Sequence, residues 1–186
     1  MKAALLLVVV LPKFTNVLVL MYGFLLVFGA SGLVNRALLG VGLIAAPLPM
    51  VYNLFAVVLA EVVLVLPYCV RVLVAALHAI DRDLEEAARS LGASDAQVFW
   101  HVVLPLSMPG VWVSALLSLI WGIGAFVAPY LLGTPELHTL AVEVDRQANW
   151  RLNWAMAGAV AMVMVVLIGA LVAVYLGAQR RVEAAA

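Results

Sequence analysis

The sequence predicts an all-α, polytopic membrane protein with four transmembrane helices and a charged helical segment between the second and third. Three observations predict it. Hydrophobic residues fill 67% of the 186 positions and charged residues 11%, against roughly 45–50% and 25% in soluble domains. A soluble core of this length cannot hide so much apolar surface. Four stretches are long and apolar enough to cross a bilayer, which takes about 20 residues. The charge is concentrated: of ten Lys plus Arg and ten Asp plus Glu, seven lie between Asp81 and Asp95.

Met1 and Lys2 ahead of residues 3–11 mimic a signal peptide. The apolar run meets no clear small-x-small site and three more apolar segments follow, so it reads as the first span, residues 4–28, with Pro12, Lys13, Thr15 and Asn16 inside it. Residues 29–50 hold several glycines, the pair Asn35-Arg36 and two prolines, and read as a loop with a short interfacial helix. The second span is 51–77. Residues 80–108 are too polar to cross. The third span is 110–132, followed by a polar loop, 133–153, with Glu136, His138, Glu143, Asp145, Arg146 and Arg151. The fourth span is 154–178. A single transmembrane domain, 1–186, accounts for the chain. Pro12 and Pro67 read as kinks.

Orientation follows from Lys and Arg. An even number of spans puts both termini on one side. That side holds Lys2, Arg82, Arg89, Arg180 and Arg181, with Arg71 near a helix end, against Arg36, Arg146 and Arg151 on the other. Both termini and the charged segment are therefore expected in the cytoplasm.

The grammar of 80–108 is helical. Asp83 and Glu86 have capping-box spacing, Glu85 to Arg89 are good helix formers, and Leu84, Ala87, Ala88 and Leu91 share one face. Gly92 offers a left-handed cap. Ser94 with Gln97 opens a second helix on which Val98, Val102 and Leu106 can share a face, with Pro105 and Pro109 interrupting. A short helix with small residues on one face can enter a groove on a partner. On periodicity alone, a helix lying on the lipid surface is the simpler reading.

Two charges lie inside spans. Glu61 and Lys13 are each costly at that depth, by at least about 2.5–3.5 kcal/mol, and are candidates for a translocation pathway. Glu61 could line a path for a cation, or pair with Lys13 or a partner subunit; Lys13 can instead snorkel to the surface. No Walker-type loop, H-E-x-x-H or Ser/His/Asp spacing is present, so neither catalytic nor metal-binding residues are assigned. Cys69 lies in an apolar run and reads as a small buried hydrophobe. Zero net charge implies no nucleic acid.

Glu86-Ala87-Ala88, three residues, Gly92, nine residues, then Val102-Val103-Leu104-Pro105 is similar to the EAA signature of binding-protein-dependent ABC importer permeases, with Val102 where that family usually has Ile. "LPKFTNVLVLMYGF" (Leu11–Phe24), "GLVNRALLGVGLI" (Gly32–Ile44), "GAFVAPYLLGTP" (Gly124–Pro135) and "NWAMAGAVA" (Asn153–Ala161) resemble the spermidine/putrescine-type permeases. The resemblance runs from about Leu5 to Tyr175, and Ala155 stands where the family has Pro.

The resemblance implies a partial type I ABC importer permease fold in a bacterial inner membrane. The segment matching Glu86 to Gly92 would be a coupling helix docked in a cytoplasmic ATPase. Glu85, Glu86, Ala87, Ala88, Leu91, Gly92, Leu104 and Pro105 would form the coupling site. Partners would be ATPase subunits carrying ATP and Mg, with no cofactor on this chain, a second permease subunit and an external solute-binding protein. Polyamine is the implied cargo; thiamine, phosphonate, opine and ferric iron are alternatives. Family members have six spans, and residues like their third begin almost at Met1, so the first two spans are expected to be missing, as in a fragment or a chain with a misassigned start. The competing function is a non-ABC carrier or scaffold with an interfacial helix.

Overall fold

The computed structural model describes residues 15–183, with side-chain surroundings given through residue 177. The described residues contain no β-strand. In order they form α1 (Val17–Phe28), α2 (Leu33–Gly40), α3 (Leu54–His78), α4 (Arg82–Ser90), α5 (Asp95–Val98), a π-turn (Phe99–Val103), α6 (Leu104–Ile123), α7 (Val127–Leu132), a 3₁₀ turn (Pro135–Leu137), α8 (Leu140–Asp145), a second π-turn (Arg146–Trp150) and α9 (Trp154–Glu183). Four helical stretches are apolar enough to cross a membrane: Val17–Gly40, Leu54–His78, Asp95–Ile123 and Trp154–Gly177.

The first stretch departs from the expected 4–28. Residues 4–14, including Pro12 and Lys13, lie outside the described residues. Thr15 and Asn16, which hydropathy leaves inside the span, precede α1. Asn16 caps it, its Oδ1 accepting the Leu18 N–H at 2.8 Å, because an Asn competes for backbone donors better outside a helix than within. The loop after α1 contains the expected short helix, α2. Asn35 is no surface residue there: it is fully buried. Its Nδ2 donates to the Gly29 and Leu48 carbonyls at 3.0 Å each, and its Oδ1 accepts the Leu48 N–H at 2.8 Å. One amide thus closes the loop and satisfies backbone groups that burial would otherwise penalise.

Helix α3 has 25 residues, about 37 Å at 1.5 Å per residue, enough to cross a hydrocarbon core of about 30 Å. Asn53 caps it through the Ala56 N–H. Its main partner is the antiparallel α6. The seam between them is built of small residues: Gly110 meets Ala76, and the Cys69 thiol lies 3.2 Å from the Ser118 hydroxyl. Ser114, buried, donates to the Gly110 carbonyl in its own helix. Cys69 is half-buried in this polar seam rather than enclosed as a plain hydrophobe. Small residues let helices approach closely where lipid supplies no hydrophobic drive between them.

A second cluster joins α1, α3 and α7 through Met21, Ala56, Val57, Ala60, Ala128 and Leu132. The third span differs from the expected 110–132. Its helix is continuous from Asp95 to Ile123 and breaks at Gly124, after which α7 starts anew. Pro129 explains the restart. It lacks an N–H, which a helix accommodates most easily in its first turn, and it is the third residue of α7. The Thr139 hydroxyl donates to the freed Ala125 carbonyl. The fourth span begins at Trp154 as the sequence predicts, with Asn153 Oδ1 accepting the Met156 N–H. Its most apolar window contains no buried residue.

Candidate functional site

The charged segment stands at one end of the bundle, between the last residue of α3 and the first of α5. Helix α4 starts two residues earlier than Asp83 predicts. Asp81 is the cap, its Oδ1 accepting the Asp83 N–H at 3.0 Å. The Asp83–Glu86 capping box therefore does not form. Asp83 and Glu85 fall in the first turn instead, where negative charge offsets the positive end of the helix dipole. Two carboxylates compete for one capping role, and Asp81 takes it because its backbone is extended.

The exit from α4 follows the sequence closely. Leu91 ends the helix and Gly92 adopts φ +89°. The Ala93 N–H donates to the Ala88 carbonyl at 3.1 Å and the Gly92 N–H to Arg89 at 2.9 Å, the pair of bonds that defines a Schellman turn. Ser94 then caps α5 with the reciprocal box to Gln97. Together α4, Gly92 and α5 make a sharp elbow leading into α6.

Between α5 and α6 the chain winds one π-turn, in which the Leu104 N–H reaches back to Phe99. A proline in a regular helix clashes with the carbonyl four residues before it, and a wider turn relieves this. Pro105 is the second residue after the turn. The extra residue rotates the faces on either side of it. Val98 is buried and Val102 half-buried, but Leu106 is exposed, and Ser107 and Gly110 face inward in its place. The predicted Val98–Val102–Leu106 face is thus broken at its third member.

On α4 no residue is buried. Leu84 is 48% exposed and Leu91 90%. Ala87 and Glu86 are exposed, whereas Glu85 and Ala88 are half-buried. The expected apolar face therefore remains open along Leu84, Ala87 and Leu91. Glu86 makes no ion pair among the described residues. Leu104 (half-buried) and Pro105 (exposed) lie at the start of α6, beyond both the elbow and the π-turn. Beside α4, Val74, Leu77, His78, Ile80, Arg82 and Glu85 line an open groove of about 310 Å³.

Arg89 is a participant the sequence reading passed over as a helix former. Its Nη2 lies 3.2 Å from Glu85 Oε2 and its Nε 3.1 Å from Asp95 Oδ1. The Asp95 and Glu85 carboxylates raise its pKa above the usual guanidinium range. At the opposite end, Gln147 is buried and donates to Glu143 at 2.6 Å, while Arg146 lies 3.6 Å from Glu143. The Glu136 carboxyl is held below its usual range by the Thr134 side chain and its own backbone N–H.

Within the bundle Glu61 is half-buried, and Trp121 on α6 donates its Nε1–H to Glu61 Oε2 at 3.0 Å. Tyr68 lies beside Trp121, ring centroids 5.3 Å apart. Lys13, the partner considered from sequence, is outside the described residues. Antiparallel packing of the second and third spans brings Glu61 and Trp121 to one depth, a pairing that the sequence reading did not consider. Among the described residues no group of three or more His, Cys, Asp or Glu is placed to hold a metal ion.

The family described as "Binding-protein-dependent transport system inner membrane component" matches residues 2–184. The chain belongs to that family. Members of this permease family are membrane components of ABC importers. The chain is 35% identical over 179 residues to the spermidine/putrescine transport system permease protein PotB of Haemophilus influenzae, covering 96% of this chain and 63% of that protein. The Escherichia coli PotB is 30% identical over the same length, 65% of it covered. The chain thus spans just under two thirds of the curated relatives it matches. One solved structure, of a bacterial alginate ABC transporter in complex with alginate pentasaccharide-bound periplasmic protein, contains a chain that is 20% identical. It superposes with a TM-score of 0.79 over 97% of this chain and 66% of its own. At that identity the likeness shows the fold, an ABC transporter permease bundle. Within the family this permease is most like the spermidine/putrescine type.

Proposed function

We propose that this chain is the membrane-spanning part of an ATP-driven importer, and that α4 is its coupling helix. The observation that carries the reading is the open face of α4. Leu84, Ala87 and Leu91 are exposed on a helix with no buried residue, beside the unpaired Glu86. In a folded chain such a face calls for a partner. Its position within the EAA spacing points to a cytoplasmic ATPase, which would carry ATP and Mg. A second permease subunit would cover part of the apolar surface, and a periplasmic solute-binding protein would meet the loops at residues 29–50 and 133–153. Closure of the ATPases would push α4, and the elbow would tilt α6 between inward-open and outward-open arrangements.

Two variants test the assignment. Glu86→Lys reverses the charge at the contact. Gly92→Pro forbids φ +89° and so breaks the elbow. Each is expected to lower co-purification of the ATPase subunit by about tenfold or more, the scale for truncating or reversing a buried interfacial charge. Undiminished co-purification of both variants refutes the coupling helix and favours a helix lying on lipid.

The cargo proposed is a polyamine. It is the substrate class in the names of the spermidine/putrescine relatives, and Glu61 offers a carboxylate with one oxygen engaged by Trp121. A carboxylate at membrane depth faces a polar path or a partner rather than lipid. Glu61→Gln should lower spermidine uptake at least several-fold while the assembled complex purifies normally. Uptake equal to wild type removes Glu61 from the pathway.

A further inference from the structure

We propose that Arg89 is a positioning residue for the coupling step: its guanidinium ties α4 to α5 across Gly92 and holds the angle of the elbow. This rests on the reading of α4 as the coupling helix.

The elbow has few other restraints. Helix α4 buries nothing, and its substantial packing is only against α5 and the π-turn that follows. A Cβ on Gly92 would meet nothing within 4 Å, so the turn is open on that side. The local caps hold each helix end but not the direction of one helix relative to the other. Arg89 does act between them. Its Nη2 engages Glu85 one turn earlier on α4, which fixes the guanidinium to that helix, and its Nε reaches Asp95 in the first turn of α5. The fork geometry matters: two N–H groups fixed in one rigid plane meet two carboxylates, with less freedom to lose than a flexible ammonium has. From Asp95 the helical path is continuous to Ile123. A tilt imposed on α4 is therefore delivered to the third span only as far as the elbow keeps its angle.

Exposed ion pairs are individually weak, and Asp95 is 91% exposed on its side chain. The bridge therefore biases the angle without locking it. Docking against an ATPase would exclude water and strengthen both pairs, because charges attract more strongly at lower effective dielectric. The tie would then be firmest when force passes through it.

The test uses the assembled transporter with spin labels at positions 83 on α4 and 108 on α6, in a Cys69→Ser background. Distance distributions are measured by double electron–electron resonance, alongside ATPase co-purification. Arg89→Met and Asp95→Asn should each broaden the distribution, raising other elbow angles by about two- to fivefold, the range exposed pairs supply. The double variant should be no broader than the worse single one, and Arg89→Lys should fall between. Co-purification should be unchanged throughout. A wild-type width in Arg89→Met, additive broadening in the double variant, or loss of the ATPase with Arg89→Met but not with Asp95→Asn each overturns the proposal. The last result would make Arg89 a direct ATPase contact. Failure of the coupling-helix reading is visible separately, as unchanged co-purification in both Glu86→Lys and Gly92→Pro.

Discussion

A Cβ built on Gly110 would overlap the Cβ of Ala76, closer than two non-bonded carbons can approach. Gly110 is needed for contact, whereas Gly92, with open space around it, is needed for its backbone angle. The two glycines should therefore respond to different substitutions. Gly110→Ala forces α3 and α6 apart and is expected to cost about 1–3 kcal/mol, as overpacking does. Ala76→Gly in the same chain removes the opposing methyl and should recover most of the loss, since residues in contact couple strongly. Thermal unfolding of the purified protein in detergent checks this. A Gly110→Ala variant that melts like wild type would show that the seam is not close-packed. The same seam carries Cys69, Ser114 and Ser118, so its loosening would also release thiol and hydroxyl contacts.

At the scale of elements, what was legible in the sequence was what depends on few residues close in the chain. Ser94 and Gln97 specify their capping box without reference to anything distant, and Gly92 its left-handed turn. Asn153 likewise sets the start of α9. The start of α4 was misplaced because Asp81 and Asp83 both carry capping chemistry. Backbone direction after α3 decided between them, and spacing does not encode that. The π-turn at Phe99–Val103 left a visible cause in Pro105, but not the choice between a kink, a break and a wider turn. That choice moved Leu106 outward and Ser107 inward. The break at Gly124 was hidden for the opposite reason: hydropathy runs on through it into α7, and Pro129 alone does not separate a break from the unbroken helices that hold Pro67 and Pro109. Glu61 was identified as costly at its depth. Its donor, Trp121, is 60 positions distant and became its neighbour only through the packing of α3 on α6. Glu86, Ala87 and Ala88 were legible as a motif, while the contacts of Arg89 were not, because its partners Glu85 and Asp95 stand on both sides of a turn.

For the whole molecule, sidedness is the property that turns these elements into a mechanism. The described helices alternate in direction, with α3 and α9 running toward the end that carries α4, and α6 running away from it. Arg82, Arg89, Arg180 and Arg181 lie at that end, and Arg36, Arg146 and Arg151 at the other. On that four-to-three count the positive-inside rule predicts α4 in the cytoplasm, within reach of an ATPase. Single cysteines at exposed positions 96 and 151, in a Cys69→Ser background, test the arrangement without any assumption about cargo. Ala96→Cys should react with a membrane-impermeant maleimide in inverted vesicles and not in right-side-out ones, and Arg151→Cys should show the reverse. Labelling of Ala96→Cys from outside would put α4 beyond the reach of any cytoplasmic motor. The coupling proposal and the role of Arg89 would then fail together, while the α3–α6 seam and the family assignment would stand.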